Sequence, residues 1–142
     1  MERRLVPGDS PFDSLGFSRV VVVGPHVYVA GTAPIPKDGS SPPEDAYDQA
    51  MLCLEIIGVA LARAGAALEH VVRTRIYLSD RSHMSDVSRA HAEVFASIRP
   101  ANTTVVTQLV DPSWKVEIDA DALIPEWRDM GRRADREGTR ST

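Results

Sequence analysis

Two runs of mostly β-branched residues, 17–23 and 27–30, stand on either side of Gly24-Pro25-His26. Such runs suit a pleated, half-buried surface, and the break between them makes a hairpin the natural reading. His26 then sits at its tip, where a solvated turn residue is the ordinary outcome and a ligand or base the rarer one. Gly31-Thr32-Ala33-Pro34-Ile35-Pro36 breaks the second strand; a Gly there either lets a ligand approach the backbone or simply makes a turn. Beyond a loop at 38–43, Glu44 and Asp45 open a helix that runs to Gly65. Ala50, Leu54, Ile57, Leu61 and Ala64 recur along it at spacings of four and three, giving one buried stripe. Residues 71–78 predict a third strand, with Val72, Thr74, Ile76 and Leu78 on one face and Arg73, Arg75 and Tyr77 on the other. A second helix over 84–98 ends before Pro100, and His91 falls on its apolar face, where a satisfied core histidine is the commoner case than a catalyst. Residues 103–107 predict a strand, Asp111-Pro112-Ser113 a turn and 115–123 a returning strand, so 99–119 reads as a hairpin.

The order is ββαβαββ, an α+β arrangement in which two helices cover one face of a sheet. The other face, with Arg73, Arg75 and Tyr77, is left without cover, and packing such faces together in a closed oligomer resolves that. Residues 1–15 show no period and are taken as irregular, 16–125 as the domain, and 126–142 as a charged, flexible tail in which Trp127 and Met130 are the large apolar residues.

A length of 142 residues suits one domain, and no apolar run approaches the roughly 20 residues that span a bilayer. The start, Met-Glu-Arg-Arg-Leu-Val-Pro-Gly-Asp, lacks the apolar region of a secretory signal, so a cytoplasmic location and no membrane partner are expected. A formal net charge of −4 gives no reason to expect nucleic acid. The single cysteine, Cys53, lies in the apolar part of the first helix, offers no metal-ligand spacing, and reads as packing rather than reactivity. No metal is expected.

Glu117 is the carboxylate best placed for chemistry. Between apolar Val116 and Ile118 it alternates to the opposite face together with Lys115 and Asp119. That pattern fits a charged strand face in water as well as a general acid–base.

A set of segments then acts together: Gly16-Phe17-Ser18-Arg19-Val20, Val27-Tyr28-Val29-Ala30-Gly31-Thr32, Ala64-Gly65-Ala66, Val71-Val72-Arg73-Thr74-Arg75-Ile76-Tyr77-Leu78-Ser79-Asp80, His91-Ala92-Glu93-Val94-Phe95, Arg99-Pro100-Ala101 and Val116-Glu117-Ile118-Asp119. In this order and spacing the chain resembles the Rid (YjgF-like) family of enamine/imine deaminases and their non-deaminating relatives over about 16–123. The resemblance implies a chorismate-mutase-like fold with a mixed sheet, a homotrimer, a small-molecule cleft between each pair of subunits, and no cofactor. It also implies that a last-strand Glu, here Glu117, handles the hydrolytic water, and that an Arg directly after Pro-Ala grips a substrate carboxylate. Here that position is Asn102.

Arg is a fixed cationic fork, whereas Asn is neutral and short, so the charge-assisted clamp, about 1.5–3 kcal/mol, is gone. Arg19, Arg73 and Arg75 are the candidate replacement charges. By position Phe17 resembles the aromatic cleft wall, without the phenol of the usual Tyr, Gly31 and Thr32 resemble the backbone rim, and Thr104 stands where the deaminating branch often has Cys. Trp114 either closes over the cleft or packs on a neighbour. The reading is a cofactor-independent Rid-like hydrolase of a small imine, enamine or related compound, with Asn102 as a neutral hydrogen-bond donor and not the usual deaminase of amino-acid-derived iminoacids. The alternatives are a non-catalytic metabolite- or protein-binding trimer, or a specialised biosynthetic step in the same cleft.

Overall fold

The computed structural model describes residues 2–8 and 14–125, so the expected tail at 126–142 lies outside the described residues. Six strands, β1 (Arg3–Val6), β2 (Val20–Val23), β3 (His26–Thr32), β4 (Val71–Leu78), β5 (Ala101–Val106) and β6 (Val116–Leu123), form one sheet in the order β1-β2-β3-β6-β4-β5. Helices α1 (Ala46–Arg63) and α2 (Met84–Phe95) pack on one face of it. The β4–β5 pair is parallel and the other pairs are antiparallel, so the sheet is mixed, as expected.

Local chemistry sets the helix ends. The Asp45 carboxylate accepts from the Asp48 N–H at 3.1 Å, capping α1, whose acidic first turn also suits the helix dipole. At the other end Gly65 takes φ +80°, Gly65 N–H donates to Ala62 O at 3.1 Å and Ala66 N–H to Leu61 O at 2.8 Å, the paired bonds of a Schellman stop. Leu54, Ile57 and Leu61 of the expected stripe are at most 2% exposed and meet the inward residues of β3 and β6. α2 ends at Phe95, three residues short of the expected boundary, and Arg99 at φ +56° turns the chain before Pro100.

Four expectations are corrected. The 99–119 stretch is not a hairpin: β5 and β6 never pair, because β4 lies between them. Helix α2 joins β4 to β5 as a parallel crossover, and a connection at 107–115 then carries the chain back across β4. Burial explains the choice. β6 buries Val116, Ile118, Ala120 and Ala122 and suits the middle of the sheet, whereas β5, rich in Asn and Thr and mostly exposed, suits an edge. The alternation of β4 slips at a bulge between Val71 and Arg73, so Val71 is buried and Val72 is 45% exposed. Residues 3–6, inside the segment taken as irregular, pair with β2 as the opposite edge strand, and Arg4 donates to Ala64 O at the α1 C-terminus, 2.6 Å away. His26 is the exposed first residue of β3 rather than the turn itself, stacked on Tyr28.

Candidate active site

The inward residues of β6 face the helices, so Glu117, Asp119 and Asp121 face the uncovered side of the sheet. Cross-strand partners point the same way: Tyr77 opposite Glu117, Arg75 opposite Asp119, Arg73 opposite Asp121. Exposed apolar side chains share this face, Tyr28 at 46%, Val105 at 43% and Leu5 at 54%. The expected polar face is therefore one continuous surface with an apolar margin.

Glu117 is half-buried on this face because of β3. Between Val29 and Thr32 the β3–β6 register shifts, placing Ala30 and Gly31 across from Asp119 alone. The Glu117 carboxylate lies in the space that a side chain at residue 31 would occupy: a Cβ there would stand 2.5 Å from Oε1. Burial raises the Glu117 pKa above its ordinary 4.5, the negative charge of Asp119 raises it further, and Arg19 pulls it back. A carboxylate so placed keeps a protonated fraction to higher pH and can both give and take a proton.

Of the three candidate cations, Arg19 is the one whose charge lowers the pKa of this carboxylate. Its guanidinium donates to Thr32 Oγ1 at 2.8 Å and to Gly31 O at 3.4 Å, while Thr32, fully buried, donates to Ala30 O at 2.9 Å. Arg75 is already engaged, 3.0 Å from Asp119 and 3.4 Å from Asp121, and Tyr77 donates to Asp119 at 2.8 Å. Arg73 stands on the same face between Asp121 and Ala101 in register. Phe17 is 50% exposed just before β2, on the chain that delivers Arg19. Trp114 is partly buried in the connection to β6, its backbone N–H donating to Asp111 O at 3.1 Å.

Asn102 is not brought to Glu117 within one chain. It pairs in register with Thr74, an inward residue of β4, so it lies on the helix side of the sheet at the β5 edge. Its Nδ2 donates to Thr74 Oγ1 at 3.0 Å and to Thr74 O at 3.3 Å, and its Oδ1 accepts from Thr104 Oγ1 at 2.8 Å. Within this chain the Asn102 amide nitrogen is therefore directed at Thr74. Behind it, Thr74 Oγ1 lies 2.8 Å from His91 Nε2, and the His91 ring rests on Phe95. Sequence reasoning passed over Thr74, although a Thr in the inward set of a strand, with a His on the facing helix stripe, is a signal for a buried hydrogen bond. It also passed over Gln49, 1% exposed, which accepts from Lys115 N and donates to Ser113 O and so fixes where β6 begins.

Burial holds the His91 pKa below its ordinary 6.5. The folded chain therefore binds that proton more weakly than the unfolded chain. The associated stability is complete above 6.5 and is lost as pH falls through the folded value. His91→Gln is expected to flatten this loss, as read by thermal unfolding from about pH 7.5 to about pH 5. Cys53 is buried, with its thiol pKa pushed up first by burial and then by the charge of Glu117, which makes it a poor nucleophile. A groove of about 400 Å³ lined by Met51, Leu52, Leu68 and Val94 lies on the helix side, across the sheet from Glu117. Among the described residues no three His, Cys, Asp or Glu are grouped to hold a metal, and no helix is long and apolar enough to cross a membrane.

Comparison with known proteins agrees with this architecture. A protein from Mycobacterium tuberculosis, Rv2704, whose structure is described as a member of the YjgF/YER057c/UK114 family, superposes with a TM-score of 0.79 at 41% identity, covering 87% of this chain and 100% of that one. An uncharacterised protein of Streptomyces coelicolor, SCO2049, is 35% identical over 121 residues, 84% of this chain and 90% of its own. The RutC family protein PH0854 of Pyrococcus horikoshii is 31% identical over 107 residues, 75% of this chain and 85% of that one. Residues 9–124 match the sequence model of the family described as Endoribonuclease L-PSP. With that match, these relatives and the six-stranded sheet under two helices, the chain belongs to the YjgF/Rid family.

Proposed function

We propose that the chain is a cofactor-independent hydrolase of a small imine or enamine, working in a cleft between subunits of a homotrimer. The observation that supports this most is the half-buried Glu117 carboxylate, lodged over Gly31 on an uncovered sheet face with its pKa raised. In this reading Glu117 takes a proton from water as the oxygen adds to the imine carbon. It returns that proton to nitrogen, giving a carbinolamine; the carbinolamine hydroxyl then gives its proton, through Glu117, to the amine nitrogen as the C–N bond breaks, and ammonia leaves a carbonyl product. An enamine first receives a proton on carbon from protonated Glu117. The argument for a shared cleft is geometric: Glu117 and Asn102 are on opposite sides of one sheet, so a ligand that touches both draws Asn102 from the partner subunit. Exposed apolar residues around Arg73, Arg75 and Tyr77 favour burial of that face between subunits.

Purified protein is expected to sediment at three times its chain mass and to accelerate ammonia release from freshly generated imines and enamines. Asn102 in place of the clamp favours a second reading, a trimer that binds a metabolite without chemistry. Ammonia release at the uncatalysed rate across substrates with and without carboxylates would select it. The family description points to a ribonuclease, which needs a surface for phosphate. A net charge of −4, with Glu117, Asp119 and Asp121 along one strand, argues against RNA there.

A further inference from the structure

Arg19 holds residues 30–32 from both its backbone and its side chain. Its carbonyl accepts from Ala30 N–H at 3.0 Å, and its guanidinium donates to Thr32 Oγ1 at 2.8 Å and, more weakly, to Gly31 O at 3.4 Å. The hydroxyl it meets is a firm anchor. Thr32 is fully buried and gives its own proton to Ala30 O at 2.9 Å, so its Oγ1 is fixed as an acceptor towards Arg19, which can only donate. Residues 30–32 are also where the β3–β6 register shifts, and the Glu117 carboxylate lies against the middle one, Gly31. One side chain therefore braces the segment under Glu117 and brings a permanent cation to the same place.

The other charged or titratable groups around Glu117 do not duplicate this. Asp119, two residues along β6, is negative, and Tyr77, opposite on β4, donates to Asp119. Arg75 is held by Asp119 and Asp121, and Cys53 of α1 is a buried thiol that stays neutral. Burial and Asp119 favour the protonated form of Glu117, whereas Arg19 favours the charged form that a general base needs.

We infer that Arg19 is a positioning residue for Glu117, bracing the bulge at 30–32 and supplying the positive charge that steadies the ionised carboxylate. This rests on the acid–base role of Glu117 in the proposed function, but its first test needs no turnover.

Carboxyl-carbon NMR of the resting protein, with the Glu117 signal assigned by its absence in Glu117→Gln, follows that titration directly. Arg19→Met removes both the charge and the donors and is expected to move the Glu117 titration to higher pH, whereas Arg19→Lys keeps the charge and is expected to leave it in place. Should Arg19→Met not fold, Arg19→Gln, neutral but still a donor, takes its part with the same expected displacement. On an imine that is turned over, the acidic limb of kcat/KM is expected to follow the same order. The kcat of Arg19→Met should fall about tenfold, less than for a displaced carboxylate, because the backbone bond to Ala30 remains. A residue that only held the strand would lower the rate in both variants without moving the limb. That result, or a Glu117 titration unchanged in the neutral variant, overturns the inference. A displaced titration in a protein that releases no ammonia from any imine would leave it standing and remove the hydrolase reading instead.

Discussion

Glu117→Gln is expected to lower kcat by about 10²–10⁴-fold on whichever imine or enamine proves to be turned over, while the oligomer persists. Gln keeps the size of the side chain and one acceptor oxygen but cannot exchange a proton. Loss of rate with little change in KM is therefore the signature of a group that acts on the reacting atoms. The same substitution carries a second readout of opposite sign. A carboxyl whose folded pKa lies above its ordinary 4.5 opposes folding once it is charged, so the associated stability is present below 4.5 and lost as pH rises through the folded value. Gln has no such loss. The variant is expected to unfold at the same or higher temperature near neutral pH, and a stable, inactive protein distinguishes a catalytic Glu117 from a structural one. Unchanged kcat would sink the proposed role of this residue.

Gly31→Ala tests the same carboxylate from the other side. The added Cβ would stand 2.5 Å from Glu117 Oε1, a distance that cannot persist, and 3.5 Å from Cδ. The carboxylate is the free end of a flexible side chain, so it can move aside at little cost in stability, and φ at residue 31 is not in the left-handed region. What is lost is its position. A displacement of about 1 Å at the proton-transferring group is expected to reduce kcat by about 10²-fold. Thermal unfolding should change by no more than a surface substitution does, about 0.5 kcal/mol. A large fall in stability with unchanged specific activity would mean that residue 31 serves only the strand bulge.

The elements that the sequence made legible are those whose signal is local. The α1 stripe, its acidic start and the Gly65 stop follow from side-chain spacing and backbone freedom along a few turns, and all three stand in the structure. Glu117 was legible as a residue alternating away from an apolar pair. Pairing was not. Nothing in residues 99–119 tells two β-branched strands joined by a turn to accept β4 between them, because that outcome depends on which strand can be buried on both sides. The bulges at residue 72 and at Ala30–Gly31 were equally silent, since an extra residue is visible only against the partner strand it opposes.

The site divides in the same way. Residue identity alone determined that a carboxylate stands on the last strand, that a neutral amide follows Pro-Ala, and that Arg73, Arg75 and Tyr77 share one strand face. Only the tertiary structure decided that Glu117 lies over Gly31 beside Arg19, that Arg75 is occupied by Asp119 and Asp121, and that Asn102 is turned by Thr74, with His91 behind it, on the far side of the sheet. The physical reason is range: spacing along a strand fixes which way a side chain points, but burial, charge and hydrogen-bond direction come from groups that only strand pairing and helix packing bring within a few ångströms.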